Sequence, residues 1–417
     1  MHSLTAPCRG LTWLAAPLAV TLLTSCGAAG AGPGPAGSPA ADTTPKSDVV
    51  ELGQATPRLA LTYDGGVMVL DGASLELLET VELDGFNRLN PAGDGRHVMI
   101  STGSAFKVLD TGSWSEAHGD HAHHYATTPS LTSVEFVADE PGHVVSHAGR
   151  TVLFSDGSGV IESFDPPQLA DGQPETETYT AAEAHHGVAV ELKNGNMLLT
   201  VGNSTSRSGL VLLDEDRREI TRNEQCPGVH GEATASEEAV TVGCENGALV
   251  YREGKITKVD SPDTYGRMGN QKGSEESTVV LADYKTDPDA ELERPERIAL
   301  IDTSNSTVDL VELGTSYSFR SLGRGLHGEA LVLGTDGSLH VIGPASGAVT
   351  ASIPVIDEWE EPVEWQQPRP TLAVQGHTAY VTDPGSSSIH AVDLESGDVI
   401  ESAELPHVPN ELTGAGD

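Results

Sequence analysis

Short β-branched and aliphatic runs recur along the chain at residues 59–63, 97–101, 151–155, 197–201, 239–244, 278–284, 330–335 and 378–382, each bounded by Gly, Asp, Asn or Pro. Their starts lie 38, 54, 46, 42, 39, 52 and 48 residues apart. A period of 40 to 50 residues, with about four strands per unit, is what a β-propeller blade requires. Residues 186–220 show the grammar of one unit: strand, Asn194-Gly195 turn, strand, loop, strand, Asp turn, strand. Residues 374–404 repeat it. Asn-Gly is a strong hairpin signal because both turn positions tolerate positive φ. Two stacked β-sandwiches would not return the same strand order. The pattern therefore predicts an all-β fold, a single propeller of eight blades with four antiparallel strands each. Seven blades is the alternative, since the first unit is irregular and residues 408–413 can add a strand that closes the ring on blade one.

The ends of the chain read differently. Residues 11–23 form a short apolar run after His2 and Arg9, followed by Leu23-Thr24-Ser25-Cys26, which resembles a lipobox. A run of this length is a signal core and not a membrane span. The expectation is a lipoprotein signal over 1–25, a lipidated flexible tether over 26–54 rich in Gly, Ala, Pro and Ser, and a propeller domain over 55–417. Acylation of Cys26 would place the protein outside the cytoplasm on the outer leaflet of the cell membrane, with the lipid as its sole membrane contact. Unused, the same signal leaves it secreted or periplasmic. Cys8 leaves with the signal and Cys26 takes the lipid. Cys226 and Cys244 then form the one pair in an oxidising compartment, and a disulfide is the default over a two-thiolate metal site.

Charge removes one class of function. With 62 acidic against 23 basic residues the formal charge is −39, and no cluster of Lys and Arg exists to neutralise phosphates, so a nucleic-acid partner is excluded. Enzyme motifs are lacking as well: the sequence has no G-x-S-x-G elbow, no P-loop and no H-E-x-x-H. The acidic stretches beginning at Asp287 and Asp357 lack the spacing of a calcium loop and read as solvated rims.

Histidine carries the functional signal. Four of the sixteen fall in one stretch, His118-Gly119-Asp120-His121-Ala122-His123-His124. Neutral imidazole is a good ligand for Zn²⁺, Cu²⁺ and Ni²⁺, and Asp120 adds an oxygen donor. In the blade register this stretch reads as the loop between blades two and three. His185-His186 and His230 occupy the corresponding loops before blades four and five. Three successive blades would then direct imidazoles to one mouth of the channel, around a single cation, with the Cys226–Cys244 bridge bracing the His230 loop. His97, His147, His327 and His377 fall at turns on the opposite face, and His340 and His390 within third strands. These read as structural or solvated, with His407 a minor candidate. Arg267, Arg320 and Arg369 align at inter-blade positions and read as salt-bridging residues.

The lipobox-type signal, the propeller repeat, the HGDHAHH stretch and the later AHHG and CPGVHGEA segments together resemble the AztD family of extracytoplasmic zinc metallochaperones. The resemblance spans most of the chain after residue 55. It implies a β-propeller that binds Zn²⁺ and passes it to the zinc-binding subunit of an ABC importer, without enzymatic chemistry and as a monomer. It carries His121, His123, His124, His186 and His230 over as ligands, with His118, Asp120 and His185 auxiliary. One departure is visible: some family members have a second His-rich motif near the mature N-terminus, and residues 27–57 contain no histidine. The competing functions are a lipid-anchored interaction scaffold without tight metal binding, and a metal-dependent propeller hydrolase or lactonase.

Overall fold

A computed structural model describes residues 49–119 and 121–415. The expected signal, Cys26, most of the tether and Asp120 lie outside the described residues. Eight sheets built on four antiparallel strands follow one another along the chain. The protein is an eight-bladed β-propeller, and the seven-blade alternative falls. Each apolar run of the sequence is the second strand of its blade, from Arg58–Tyr63 in blade 1 and His97–Thr102 in blade 2 to Thr378–Asp383 in blade 8.

These second strands read as unbroken apolar runs because both of their faces are covered. In blade 1, Leu59 and Leu61 point into the seam with blade 8, beside Tyr380 and Ile389. Ala60, between them, points into the seam with blade 2, beside Val98 and Ile100. Successive side chains of a strand face opposite ways, so a strand sandwiched between two blades needs apolar residues at every position. Eight apolar clusters fill the eight seams in this manner. Fourth strands such as Val399–Glu404 face solvent on the rim and carry charge accordingly.

The ring closes through its ends. Leu412–Ala415 pairs antiparallel with Arg58–Tyr63 and supplies the innermost strand of blade 1. Glu411, just before it, accepts from the Leu89 amide of blade 2 and pairs with Arg320 of blade 7 at 3.0 Å. Closure thus joins three blades by polar contacts as well as by the ladder.

An inserted hairpin and an N-terminal strand add a small extra sheet to the regular repeat. The interval of 54 residues, the longest in the sequence, contains a β-hairpin, Ser113–His118 with His121–Ala126, inserted between the third and fourth strands of blade 2. Val50–Leu52, inside the stretch expected as tether, pairs with the second arm of that hairpin to make a three-stranded sheet. Arg96 holds the hairpin's base: its guanidinium stacks 4.0 Å from the Trp114 ring while making two hydrogen bonds to Asp110.

A Cys226–Cys244 disulfide is present. It ties the segment entering blade 5 to the end of that blade's second strand, and the Cys226 and Gly228 amides anchor the same segment to Ser208 and Arg207 of blade 4. Closing a loop of 18 residues restricts the unfolded chain, a stabilisation of about 3 kcal/mol. The double variant C226A/C244A should therefore unfold at lower urea, with about 3 kcal/mol less stability than the oxidised parent; an unchanged midpoint would contradict this account of the bridge.

Candidate metal centres

A blade strand runs between two faces of the ring. Inter-blade loops and second-to-third-strand turns lie on one face, first-to-second and third-to-fourth turns on the other. The HGDHAHH hairpin leaves blade 2 after Asp110, which pairs with His97 beside the first-to-second turn. It therefore belongs to the face opposite the inter-blade loops. The expected single mouth shared by all the candidate histidines does not form. Among the described residues the structure holds two separate imidazole triads instead.

The first triad is His143, His186 and His230. His143 lies at the start of the first strand of blade 3, His186 in the loop entering blade 4, and His230 at the start of the first strand of blade 5. Ring centroids are 4.7, 5.1 and 5.6 Å apart, and one ligand atom from each residue lies within 4.8 Å of the others. Both strand-borne histidines sit at β-bulges, where the register slips between Pro141 and Val144 and between His230 and Glu232. A bulge re-aims a side chain that a regular pleat would send into a seam. Gly231, the extra residue of the second bulge, has φ of 69°, and a Cβ there would lie 2.5 Å from the Gly269 carbonyl. Only glycine fits that position.

Each imidazole is oriented by its other nitrogen. His143 Nδ1 donates to the Gly187 carbonyl at 3.0 Å and His230 Nδ1 to the Gly269 carbonyl at 2.7 Å. His186 Nδ1 meets the Asp156 carboxylate at 2.5 Å. A carbonyl can only accept, so His143 and His230 carry their proton on Nδ1 and keep the Nε2 lone pair free for a metal. This is the arrangement of metal-ligating histidines, in which a carbonyl or carboxylate fixes tautomer and direction. Burial pushes His143 well below the ordinary imidazole range, and the neighbouring His230 and His186 push further. Burial likewise takes His230 down to about 3, helped by His186, Arg267 and Arg207 and opposed by the Gly269 bond. Both are neutral, and so able to coordinate, across the physiological range. Three nitrogens leave one position of a tetrahedral ion free.

The second triad is His118, His121 and His123 on the inserted hairpin. His118 pairs across the hairpin with His121, and His123 follows two residues on, so the three share one face. Their centroids lie 5.0 to 5.5 Å apart. His123 Nδ1 is 2.7 Å from Glu51 Oε1, and Trp114 stacks on Tyr125 lower on the same face. This triad is the more exposed of the two.

Of the residues expected as ligands, the structure thus groups His186 with His230, and His121 with His123 and His118. His124 points to the other face of the hairpin and bonds Ser115 Oγ at 2.8 Å. His185 is buried in blade 4 with both nitrogens engaged, to the Glu183 carbonyl and to Thr200 Oγ1. His407 stacks on Tyr63 at 4.0 Å. Arg267, Arg320 and Arg369 pair with Glu245, Glu411 and Glu361. Sequence reasoning missed His143. Placing the HGDHAHH stretch in the inter-blade loop hid the true entry to blade 3, where Pro141-Gly142-His143 occupies the register of His230.

An eight-bladed propeller with three converging, Nδ1-anchored imidazoles on its inter-blade face is, in class, a propeller equipped to hold a borderline divalent cation. Comparison with known proteins narrows this. No family model matches the chain. Over 343 residues it is 26% identical to the zinc chaperone AztD of Citrobacter koseri, covering 79% of each protein. Two crystal structures of that AztD, one of them the apo form, superpose with TM-scores of 0.76 and 0.75 at 24% identity, covering 87% of this chain and 99% and 98% of theirs. A dihydro-heme d1 dehydrogenase, NirN, shares the fold at 10% identity, with a TM-score of 0.54 over 86% of this chain and 74% of its own. The chain is thus similar to AztD in sequence and in fold over most of its length.

The geometry of the His143, His186 and His230 triad sets two expectations. Asp156→Asn should weaken zinc binding there 10- to 100-fold through His186, whereas His185→Ala and His124→Ala leave it within twofold in a competition titration. Ordinary imidazoles lose about tenfold in affinity per ligand per pH unit below about 6.5. With His143 and His230 already neutral, log affinity should fall with a slope no steeper than about one between pH 6 and 5; a slope near three would contradict the burial argument.

Proposed function

We propose that this protein is an extracytoplasmic zinc metallochaperone that captures Zn²⁺ in the His143, His186 and His230 triad and hands it to the zinc-binding subunit of an ABC importer. The observation that carries this reading is the convergence of His143, His186 and His230, one ligand atom of each within 4.8 Å of the others, with the Nδ1 atoms held by Gly187, Asp156 and Gly269. The relationship to a protein described as a zinc chaperone supports the choice of metal and of role. A chaperone needs ligands firm enough to exclude competitors and a route for exchange. Three anchored imidazoles supply the first, and the open fourth position supplies the second, because a partner's ligand enters there before any histidine leaves. The ion is then never fully hydrated, and no bond of a substrate is made or broken.

The rest of the molecule fits that task. A formal charge of −39 raises the local concentration of cations around the surface. The disulfide accords with an oxidising compartment. Among the described residues no helix is long and apolar enough to cross a membrane. Attachment through a lipidated Cys26, action as a monomer and a tether that ends before the Val50–Leu52 strand complete the proposal. Within it the hairpin triad is a second, more exposed zinc site on the opposite face.

Transfer is tested by mixing the zinc-loaded protein with the apo importer subunit in the presence of excess chelator. Zinc reaching the subunit faster than it reaches chelator alone is the expected result, lost in His143→Ala/His230→Ala. Equal partition according to chelator concentration would mean release into solution and would contradict a chaperone.

A further inference from the structure

Beyond the two triads, a third set of metal-ligating groups meets where no repeat feature requires it. His327, His377 and Glu395 bring one ligand atom each to within 4.8 Å of one another. They come from three different turns: His327 from the first-to-second-strand turn of blade 7, His377 from that of blade 8, and Glu395 from the third-to-fourth-strand turn of blade 8. All three turns open on the face opposite the His143, His186 and His230 triad. From sequence these histidines read as structural or solvated; their convergence appears only once blades 7 and 8 lie side by side.

The turns that carry them are pinned. Arg324 is largely buried and donates to four carbonyls, those of Lys272, Val279, Gly328 and Glu329, which fastens the His327 turn to blade 6. The His327 amide donates to Glu329 Oε2 at 3.0 Å. In blade 8, Asp393 Oδ1 accepts from the Glu395 and Ser396 amides, and the Leu394 amide donates to the His377 carbonyl at 2.9 Å, which joins the two turns of that blade. Leu326, Leu331, Val341 and Leu394 line a hollow beside the polar groups. His377 Nδ1 lies 3.3 Å from Glu395 Oε1, and the His327 ring centroid lies 6.1 Å from that of His377.

A surface ion pair accounts for two of these groups and is worth little by itself. It gives no reason for a second imidazole, from the neighbouring blade, to meet the same point. Two nitrogens and a carboxylate oxygen on preset turns are a donor set for a borderline divalent cation, with the remaining positions filled by water. We infer that His327, His377 and Glu395 form a third metal site, at the seam of blades 7 and 8, that takes Zn²⁺ or a chemically similar cation. The site is more exposed than the His143, His186 and His230 triad and holds its ion more weakly. It stands independently of any transfer to an importer.

The full chain carrying H118A/H121A/H123A and H143A/H186A/H230A isolates this site, with circular dichroism reporting that the propeller remains folded. Titrated with zinc against a weak chromogenic chelator, it should bind one equivalent, which H327A/H377A abolishes and E395Q weakens about tenfold. As a check that does not depend on the six background changes, H327A/H377A in the parent chain should lower zinc stoichiometry by one. No binding by the isolated site, or unchanged stoichiometry of H327A/H377A in the parent chain, would overturn the inference.

Discussion

The hydrogen bonds made by the far nitrogens of three imidazoles decide what this propeller can do. Without the Gly187 and Gly269 carbonyls and the Asp156 carboxylate, His143, His186 and His230 would be free to turn, and either nitrogen of each ring could carry the proton. With them, each Nδ1 is engaged and the three rings keep one ligand atom each within 4.8 Å of the others. Everything else about the site serves that orientation: the two bulges that lift His143 and His230 out of the seams, Gly231 where a side chain would strike the very carbonyl that holds His230, and the disulfide that ties down the segment before it. Burial then keeps two of the rings neutral, so the aligned lone pairs stay available in mild acid.

That arrangement depends in turn on the ring. The three histidines belong to three consecutive blades, and their separation is set by the seams that hold those blades at fixed spacing. Val188, Val190 and Leu198 of blade 4 pack against Val240, Val242 and Leu249 of blade 5 within one buried cluster, which Val145 of blade 3 also joins. Closure by Leu412–Ala415 keeps the ring from opening. A small shift of one blade would move one imidazole, so the seam clusters are part of the metal site although none of their side chains offers a ligand.

The fold was legible because a strand buried on both faces leaves an unbroken apolar run, and eight such runs appear in the sequence as the eight second strands. The site was half legible. His186 and His230 follow turn signals and precede clear strands, so their register could be read. The HGDHAHH stretch could not be placed, because an inserted hairpin leaves the count of strands ambiguous from sequence. Its 54-residue interval was the clue. Reading that insertion as an inter-blade loop moved the hairpin to the wrong face and hid His143. The choice within the adjacent pairs was likewise not open to sequence. His185 turns inward to Thr200 and His124 to Ser115, and those partners become neighbours only through cross-strand register and the packing of blade 4.

The central claim is that one zinc ion is held by imidazoles from blades 3, 4 and 5. Anomalous diffraction at the zinc edge, from crystals of the protein loaded with one equivalent, tests it most directly. A single dominant peak among His143, His186 and His230, about 2.0 to 2.1 Å from their Nε2 atoms, is the predicted result. A dominant peak at the hairpin triad, or elsewhere on the acidic surface with the three rings bare, would contradict it.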